Sequence, residues 1–263
     1  PTGVGIFEVE DGSGHWEVGG YFVARPDGIA LALLAAAHGA ADFAVSRVDD
    51  RDWVAQVRRE LHPVHAGRFT VHGNHDSHRV GDHRVRLRIE AAMAFGTGHH
   101  GTTRGCLMLF DRMLKRGFRP RRVADIGSGT GVLAMAASQA LRVPSLATDV
   151  DPLAAATARA NVIANRLTPW IRTGVASGLL GSAFSSQRFD LIFANILAAP
   201  IKRLAPSMAR HLSGSGCVIL SGLLTAQARS VASLYAGHGL YPVDRLTIGD
   251  WTSLVMASRR RGM

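Results

Sequence analysis

The sequence predicts an α/β protein: a doubly wound, mostly parallel sheet preceded by a smaller α+β domain. Three observations carry this expectation. From Val123 onward, short apolar runs alternate with stretches of helical length, the rhythm of strands joined by crossover helices. At the first strand–helix junction Gly127, Gly129 and Gly131 stand at alternate positions, and Asp149 ends the next strand. The third observation is charge. Through Arg88 the chain holds ten basic and twelve acidic residues, net −2; from Ile89 on it holds twenty and eight, net +12. Such a shift marks two domains with a boundary near residues 75–90.

Composition narrows the field. Hydrophobic residues make up 47% of the 263 and charged residues 19%, enough apolar surface to bury a core, so the chain is not disordered. Cys106 and Cys217 lack CxxC spacing and support neither a disulfide framework nor a cysteine zinc site. No apolar run reaches the ~18 residues of a membrane span. No charged-then-apolar leader opens the chain, which begins at Pro1, and a cytoplasmic location is expected. The net charge of +10 points to an anionic partner or to surroundings such as the ribosome, and is silent on fold.

In the first part, Gly5–Glu10 and His15–Val23 read as strands about the turn Asp11–Gly14. Asp27 caps a helix that runs through Ala37 and is ended by Gly39. Phe43–Val48 reads as a further strand. Asp52 caps a short helix over Trp53–Leu61, with Trp53, Val54, Val57 and Leu61 on one face. Arg68–His72 and Arg84–Ile89 read as strands either side of a polar loop. His72, His75, His78 and His83 fall around that loop, where Gly73, Asn74 and Gly81 argue for a turn rather than a metal site.

In the second part, a helix over Arg104–Lys115 precedes the strand Val123–Ile126, the glycine loop and the helix Val132–Leu141. Then come the strand Ser145–Thr148, the helix Pro152–Asn165 and the strand Phe189–Ala194. The helix Pro200–His211, the strand Cys217–Leu220, the helix Ala226–His238 and strands near Tyr241–Ile248 and Thr252–Ser258 complete the pattern. In such sheets ligands bind at the carboxyl ends of the strands.

The glycine loop lets backbone approach a ligand that a Cβ would exclude, and the helix start that follows it directs free N–H groups into the same region. Asp149 can accept both hydroxyl protons of a ribose. The loop is GxGxG rather than the GxGxxG of dinucleotide sites, with Asp125 two residues before its first glycine. It resembles the loop of S-adenosylmethionine-dependent methyltransferases, whose cofactor has no pyrophosphate to seat. Asp125 either hydrogen-bonds loop amides and the cofactor's amino group or simply holds the turn.

Upstream lies Ala94–Thr103, with Gly96, Gly98 and Gly101, Thr97, Thr102 and Thr103, and His99 and His100. Thr102 or Thr103 is placed to cap the following helix. Taken in order, FGTGHHGTT, DIGSGTG, DVDP and ANIL resemble the PrmA family, methyltransferases of ribosomal protein L11, over about Asp52 to Trp251. The resemblance implies a seven-stranded methyltransferase sheet whose last strand is antiparallel. It also implies a ferredoxin-like first domain, here incomplete, that recognises the protein substrate. The expected division is 1–75 for recognition, 76–100 for a linker and the start of a cofactor lid, and 101–263 for catalysis. It implies S-adenosylmethionine as cofactor, with contacts at Thr103, Gly127, Asp149 and Asn195. Phe95, Gly96, Thr97 and Gly98 of the lid and Asp125 and Gly129 of the loop belong to the same site.

Asn195 follows the apolar strand Phe189–Ala194, at its carboxyl end. There an amide oxygen can accept a hydrogen bond from an incoming amine and aim its lone pair at the methyl; the plainer role is to close a turn. The resemblance implies lysine ε-amino and N-terminal α-amino groups of L11 as targets; a monomer is expected. The basic run Arg112, Lys115, Arg116, Arg119, Arg121 and Arg122 reads first as solvated helix-end charge and second as an incidental contact with ribosomal RNA. Two further readings stay open: RNA or small-molecule N-methylation, and a non-catalytic ribosome-binding protein of the same fold.

Overall fold

The computed structural model describes residues 3–8, 16–47, 63–81, 84–89, 101–179 and 187–258. The chain divides into two compact units, Pro1–Trp53 and Val54–Met263.

In the first unit, β1 (Gly3–Glu8) and β2 (Trp16–Tyr21) form an antiparallel hairpin. Helix α1 spans Gly28–His38. The Asp27 carboxylate accepts from the Ile29 N–H (2.9 Å), and Gly39, at φ 62°, closes the helix in the left-handed region that favours glycine. The strand expected at Phe43–Val48 does not form over 41–47, where the backbone is irregular. Alternation alone is not enough for a strand; a neighbour must take up its hydrogen bonds. The helix expected over Trp53–Leu61 lies outside the described residues.

The second unit opens with a three-stranded sheet of β3 (Val64–Ala66), β4 (Phe69–His72) and β5 (Val85–Arg88). The polar loop between β4 and β5 holds a 3-10 turn, Asn74–Arg79. This sheet packs on α2 (Gly101–Lys115). Phe69 stacks on Phe110 with ring centroids 5.7 Å apart, and Phe110 meets Phe193 of the main sheet edge-on. Arg68 and Lys115 both pair with Asp111. Burial pushes that carboxyl up, but the two cations outweigh it and hold it below its ordinary value. Phe69, Val71 and Leu87 therefore share a core with α2 and the main sheet.

The main sheet has seven strands: β6 (Val123–Ile126), β7 (Ser145–Asp149), β8 (Ile171–Val175), β9 (Phe189–Asn195), β10 (Leu212–Leu224), β11 (Leu240–Ile248) and β12 (Trp251–Ser258). Their order is β11-β12-β10-β9-β6-β7-β8. The five strands from β10 to β8 run parallel, and β12 is antiparallel to both its neighbours. The core on one face joins α2, α3 (Val132–Leu141) and α4 (Pro152–Ala164) through Leu107, Met135 and Val162. On the other it joins α5 (Ala198–His211) and α6 (Thr225–Ala236) through Ile201, Met208 and Val231. The strand order reverses at β6, which has β7 on one side and β9 on the other, so the crevice opens above the carboxyl ends of β6 and β9.

Candidate functional site

All three glycines after β6 are left-handed, with φ 66° at Gly127, 52° at Gly129 and 77° at Gly131. Any side chain at these positions is strained. A Cβ on Gly127 would collide with Ile196, which follows Asn195, and one on Gly131 would come within 3.2 Å of the Ala158 Cβ on α4. The alternate glycines thus answer both to backbone conformation and to close neighbours.

The loop's amides are largely committed to its own neighbours. The N–H groups of Gly127 and Ser128 both donate to the Thr148 carbonyl (2.8 and 3.0 Å), and that of Gly131 donates to the Ser128 carbonyl (2.7 Å). The Gly129 N–H donates to Asp149 Oδ2 at 2.9 Å. The sequence suggested free amides aimed at a ligand; this loop is instead no nest for a pyrophosphate. It offers a rigid floor, which suits a nucleoside without one.

Asp149 ends β7 at the crevice. Its Oδ2 holds Gly129, and its Oδ1 accepts from the Asp151 N–H (3.1 Å). Each carboxylate oxygen retains acceptor capacity for a ribose hydroxyl. Asp151 itself caps α4 through the Leu153 N–H.

Asp125 is buried on β6, and its Oδ2 accepts from the Ala134 N–H at 3.0 Å, inside the first turn of α3. The helix starts at Gly131, which has no side chain to cap it, so Asp125 supplies the cap from the strand. Burial pushes its carboxyl up to about 7; the Ala134 bond opposes this and the charge of Asp149 adds to it. Of the two roles open to Asp125, the structural one is therefore filled by a helix amide. Its Oδ1, the Ser128 hydroxyl and the Thr148 hydroxyl are buried with no hydrogen-bond partner among the described residues. Buried polar atoms are rarely left so, and around a glycine floor they match the polar edges of a nucleoside. The residues present fit S-adenosylmethionine.

Asn195 ends β9 beside Ser221 of β10 in the pairing register. Its Nδ2 donates to the Thr103 hydroxyl at 3.2 Å. Thr103 is buried in the first turn of α2, which begins at Gly101, so neither Thr102 nor Thr103 sits before the helix as the expected cap. With Nδ2 held, Oδ1 is the end of the amide left for an incoming amine. The turn that follows is wedged between glycines: a Cβ on Gly127 or on Gly222 (φ 79°) would strike Ile196 from either side. Leu197 then opens α5 at 70% exposure with no side-chain cap, a position that ordinarily favours a polar residue.

Sequence reading missed Ser221 and Ser253. The Ser221 hydroxyl donates to the Thr102 carbonyl (3.1 Å), so Ser253 donates to Ser221 (2.7 Å), and Gly105 leaves room for Ser253 against the helix. The start of α2 is thus seated on a polar row of Asn195, Ser221 and Ser253. Only the small residue at 105 hinted at it. Beneath this row, burial pushes the Cys106 thiol up to about 12, which keeps it protonated. Phe95, Gly96, Thr97 and Gly98 lie outside the described residues, as do His99 and His100.

A doubly wound sheet in this order, with a glycine floor, an acid one strand over and an amide at the next strand end, defines a nucleoside-dependent methyltransferase. A family model described as "Ribosomal protein L11 methyltransferase (PrmA)" matches residues 13–259. A protein of Bradyrhizobium diazoefficiens named Ribosomal protein L11 methyltransferase is 46% identical over 258 residues, covering 96% of this chain and 86% of its own length. One of the same name from Rhodopseudomonas palustris is 46% identical over 260 residues, covering 97% and 87%. The crystal structure of a ribosomal protein L11 methylase from Lactobacillus delbrueckii subsp. bulgaricus superposes with a TM-score of 0.65 at 27% identity, over 75% of this chain and 98% of that one. The chain belongs to the ribosomal protein L11 methyltransferase family. It is a methyltransferase, and its cofactor is S-adenosylmethionine.

Proposed function

We propose that this chain transfers methyl groups from S-adenosylmethionine to lysine ε-amino and N-terminal α-amino groups of ribosomal protein L11. The names of its relatives support the substrate, and the amide of Asn195, held by Thr103 at the crevice, supports an amine as the acceptor. When bound, the cofactor supplies a sulfonium-activated methyl. Asn195 Oδ1 accepts an N–H of the amine and turns its lone pair toward that methyl, so the chain's work is positioning and exclusion of water. Free lysine has a pKa of about 10.4, and a dry crevice lowers it toward the neutral, attacking form. Asp149 orients the ribose, the glycine loop with Asp125 holds the floor, and Phe95, Gly96, Thr97, Gly98 and Thr103 contribute to cofactor binding.

Substrate recognition is assigned within residues 1–75, a link and the start of the lid within 76–100, and the transfer to 101–263, with the sheet of β3 to β5 packed on the catalytic core. The chain acts as a cytoplasmic monomer, with ribosomal RNA as a passing contact. Among the described residues no helix is long and apolar enough to cross a membrane. The test is transfer of labelled methyl groups to purified ribosomal proteins and RNA, resolved by mass. Label in the single protein L11 is expected; label in RNA overturns the substrate.

A further inference from the structure

The five parallel strands begin together at the end of the sheet opposite Asn195, and each start is led by arginine. Arg121 and Arg122 precede β6, Arg142 precedes β7, Arg166 precedes β8 and Arg188 precedes β9. Arg210 lies in the last turn of α5, just before β10. All six are exposed. The parallel register brings these starts to one edge. Adjacent strands lie about 4.8 Å apart, so the row crosses four spacings, about 19 Å. The connections leading into the strands, 116–122, 142–144, 165–170 and 187–188, contain no acidic residue. Asp190, second in β9, is engaged by the N–H groups of Arg121 and Arg122 (2.8 and 3.2 Å) and by the Ser213 hydroxyl (2.6 Å).

Helix-end electrostatics accounts for only part of this row. A cation at a helix's C-terminal end gains about 0.3–1 kcal/mol, which serves Arg210 in its last turn and Arg142 at its C-cap. Arg121, Arg122 and Arg188 stand directly before strands instead. Arg142 and Arg166 adopt left-handed backbone, at φ 56° and 58°, where a Cβ costs roughly 1–2 kcal/mol that glycine would avoid. The basic run before β6 also divides, with Arg119 turned back on the Leu114 and Phe118 carbonyls. Arg112 and Arg116 pair with Asp244, and Lys115 with Asp111. Arg121 and Arg122 belong to the row.

We infer that this end of the sheet is a second binding surface, one that takes the phosphate backbone of RNA away from the site of methyl transfer. The row is arginine throughout, and the guanidinium fork meets phosphate oxygens in pairs, as a lysine point charge does not. A lipid surface would need an apolar band for insertion, and the strand connections supply arginine in its place. The inference goes beyond the proposed methyl transfer and does not depend on it.

The test is fluorescence anisotropy of a labelled RNA hairpin titrated with the full chain at several salt concentrations. Binding is expected at low salt, with log K falling against log[salt] at a slope of about −3 or steeper if four arginines meet phosphates. Replacing Arg121, Arg122, Arg142 and Arg166 together by Gln is expected to weaken binding by at least about 10-fold and to flatten the slope by about 1 for each phosphate no longer met. Methyl transfer to free L11 should be unchanged in that variant. The control replaces Arg112 and Arg116 by Gln, residues turned to Asp244, and RNA affinity should change little. Equal weakening in the control would assign the binding to net charge and overturn the inference. So would absence of RNA binding by a chain that still transfers methyl groups, or binding to anionic phosphatidylglycerol vesicles but not to RNA.

Discussion

The two ends of the five parallel strands are built from opposite materials. Where the strands finish, the chain has three left-handed glycines, the carboxylates Asp125, Asp149 and Asp151, and an apolar Leu197 where a helix cap would be expected. Where they start, it has exposed arginines and no acid in the connections. The first end relinquishes stability at several points. A buried carboxylate titrates near 7, two hydroxyls lack partners among the described residues, and α5 begins uncapped. Local rules broken together at one place mark a site built for a ligand rather than for folding. The second end breaks few such rules and differs mainly in charge. The starts of the parallel strands are thus arginine-lined, while their ends carry the carboxylates.

The comparison breaks most readily at Gly127. Gly127→Ala sets a Cβ against Ile196 at φ 66°, and should cost about 2–3 kcal/mol of stability in urea unfolding. It should also displace the Asn195 turn, so calorimetric titration with S-adenosylmethionine should show weakened binding. A variant with wild-type stability and affinity would mean that the floor is not fixed by this contact.

Asp149→Ala removes the acceptor for Gly129 and the proposed ribose contact together. Cofactor affinity is expected to fall about 10- to 100-fold, the range of one or two charge-assisted hydrogen bonds. Unaltered affinity would detach the acid from the nucleoside.

A separate effect concerns pH. Asp125 has its carboxyl raised from 3.8 to about 7 in the folded chain. The folded state therefore holds a proton that the unfolded state releases. The resulting stability is present below about pH 4 and is lost as pH rises through about 7. Asp125→Asn can keep the acceptor for Ala134 and has no charge to bury. Its stability should lack this decline between pH 4 and 7, as measured by urea titration at stepped pH. A parallel decline in both proteins would locate the titration elsewhere.

How much of this was legible in the sequence depended on the distance over which each feature is decided. Helix α1 lies between its cap Asp27 and its stop Gly39, and β6 through α3 follows from an apolar run, glycines and a 3.6-residue period; these are local signals. Val64–Ala66 was missed because three residues carry no period. Ile171–Val175 was missed because an edge strand interrupted by Gly174 has little alternation. Phe43–Val48 alternates well, yet 41–47 form no strand.

The site divides in the same way. Gly127, Asp149 and Asn195 are legible because each sits at a strand end fixed by local pattern. The partner of Thr103 is 92 residues away, and that of Asp125 lies across a turn in the next helix, so spacing alone left both open between capping and contact. Ser221 and Ser253 left only the small residue at 105 as a hint, since a hydroxyl's partner is chosen by packing rather than by sequence.

The central claim is that the carboxyl end performs amine methylation through Asn195, with cofactor held by its neighbours. The direct measurement follows labelled methyl transfer to L11 by wild type and Asn195→Ala, with S-adenosylmethionine affinity determined calorimetrically on the same preparations. Affinity within a few-fold of wild type and turnover lower by about 100-fold are expected, the scale of removing a positioning hydrogen bond. Unchanged turnover in a variant that binds cofactor normally would contradict the account.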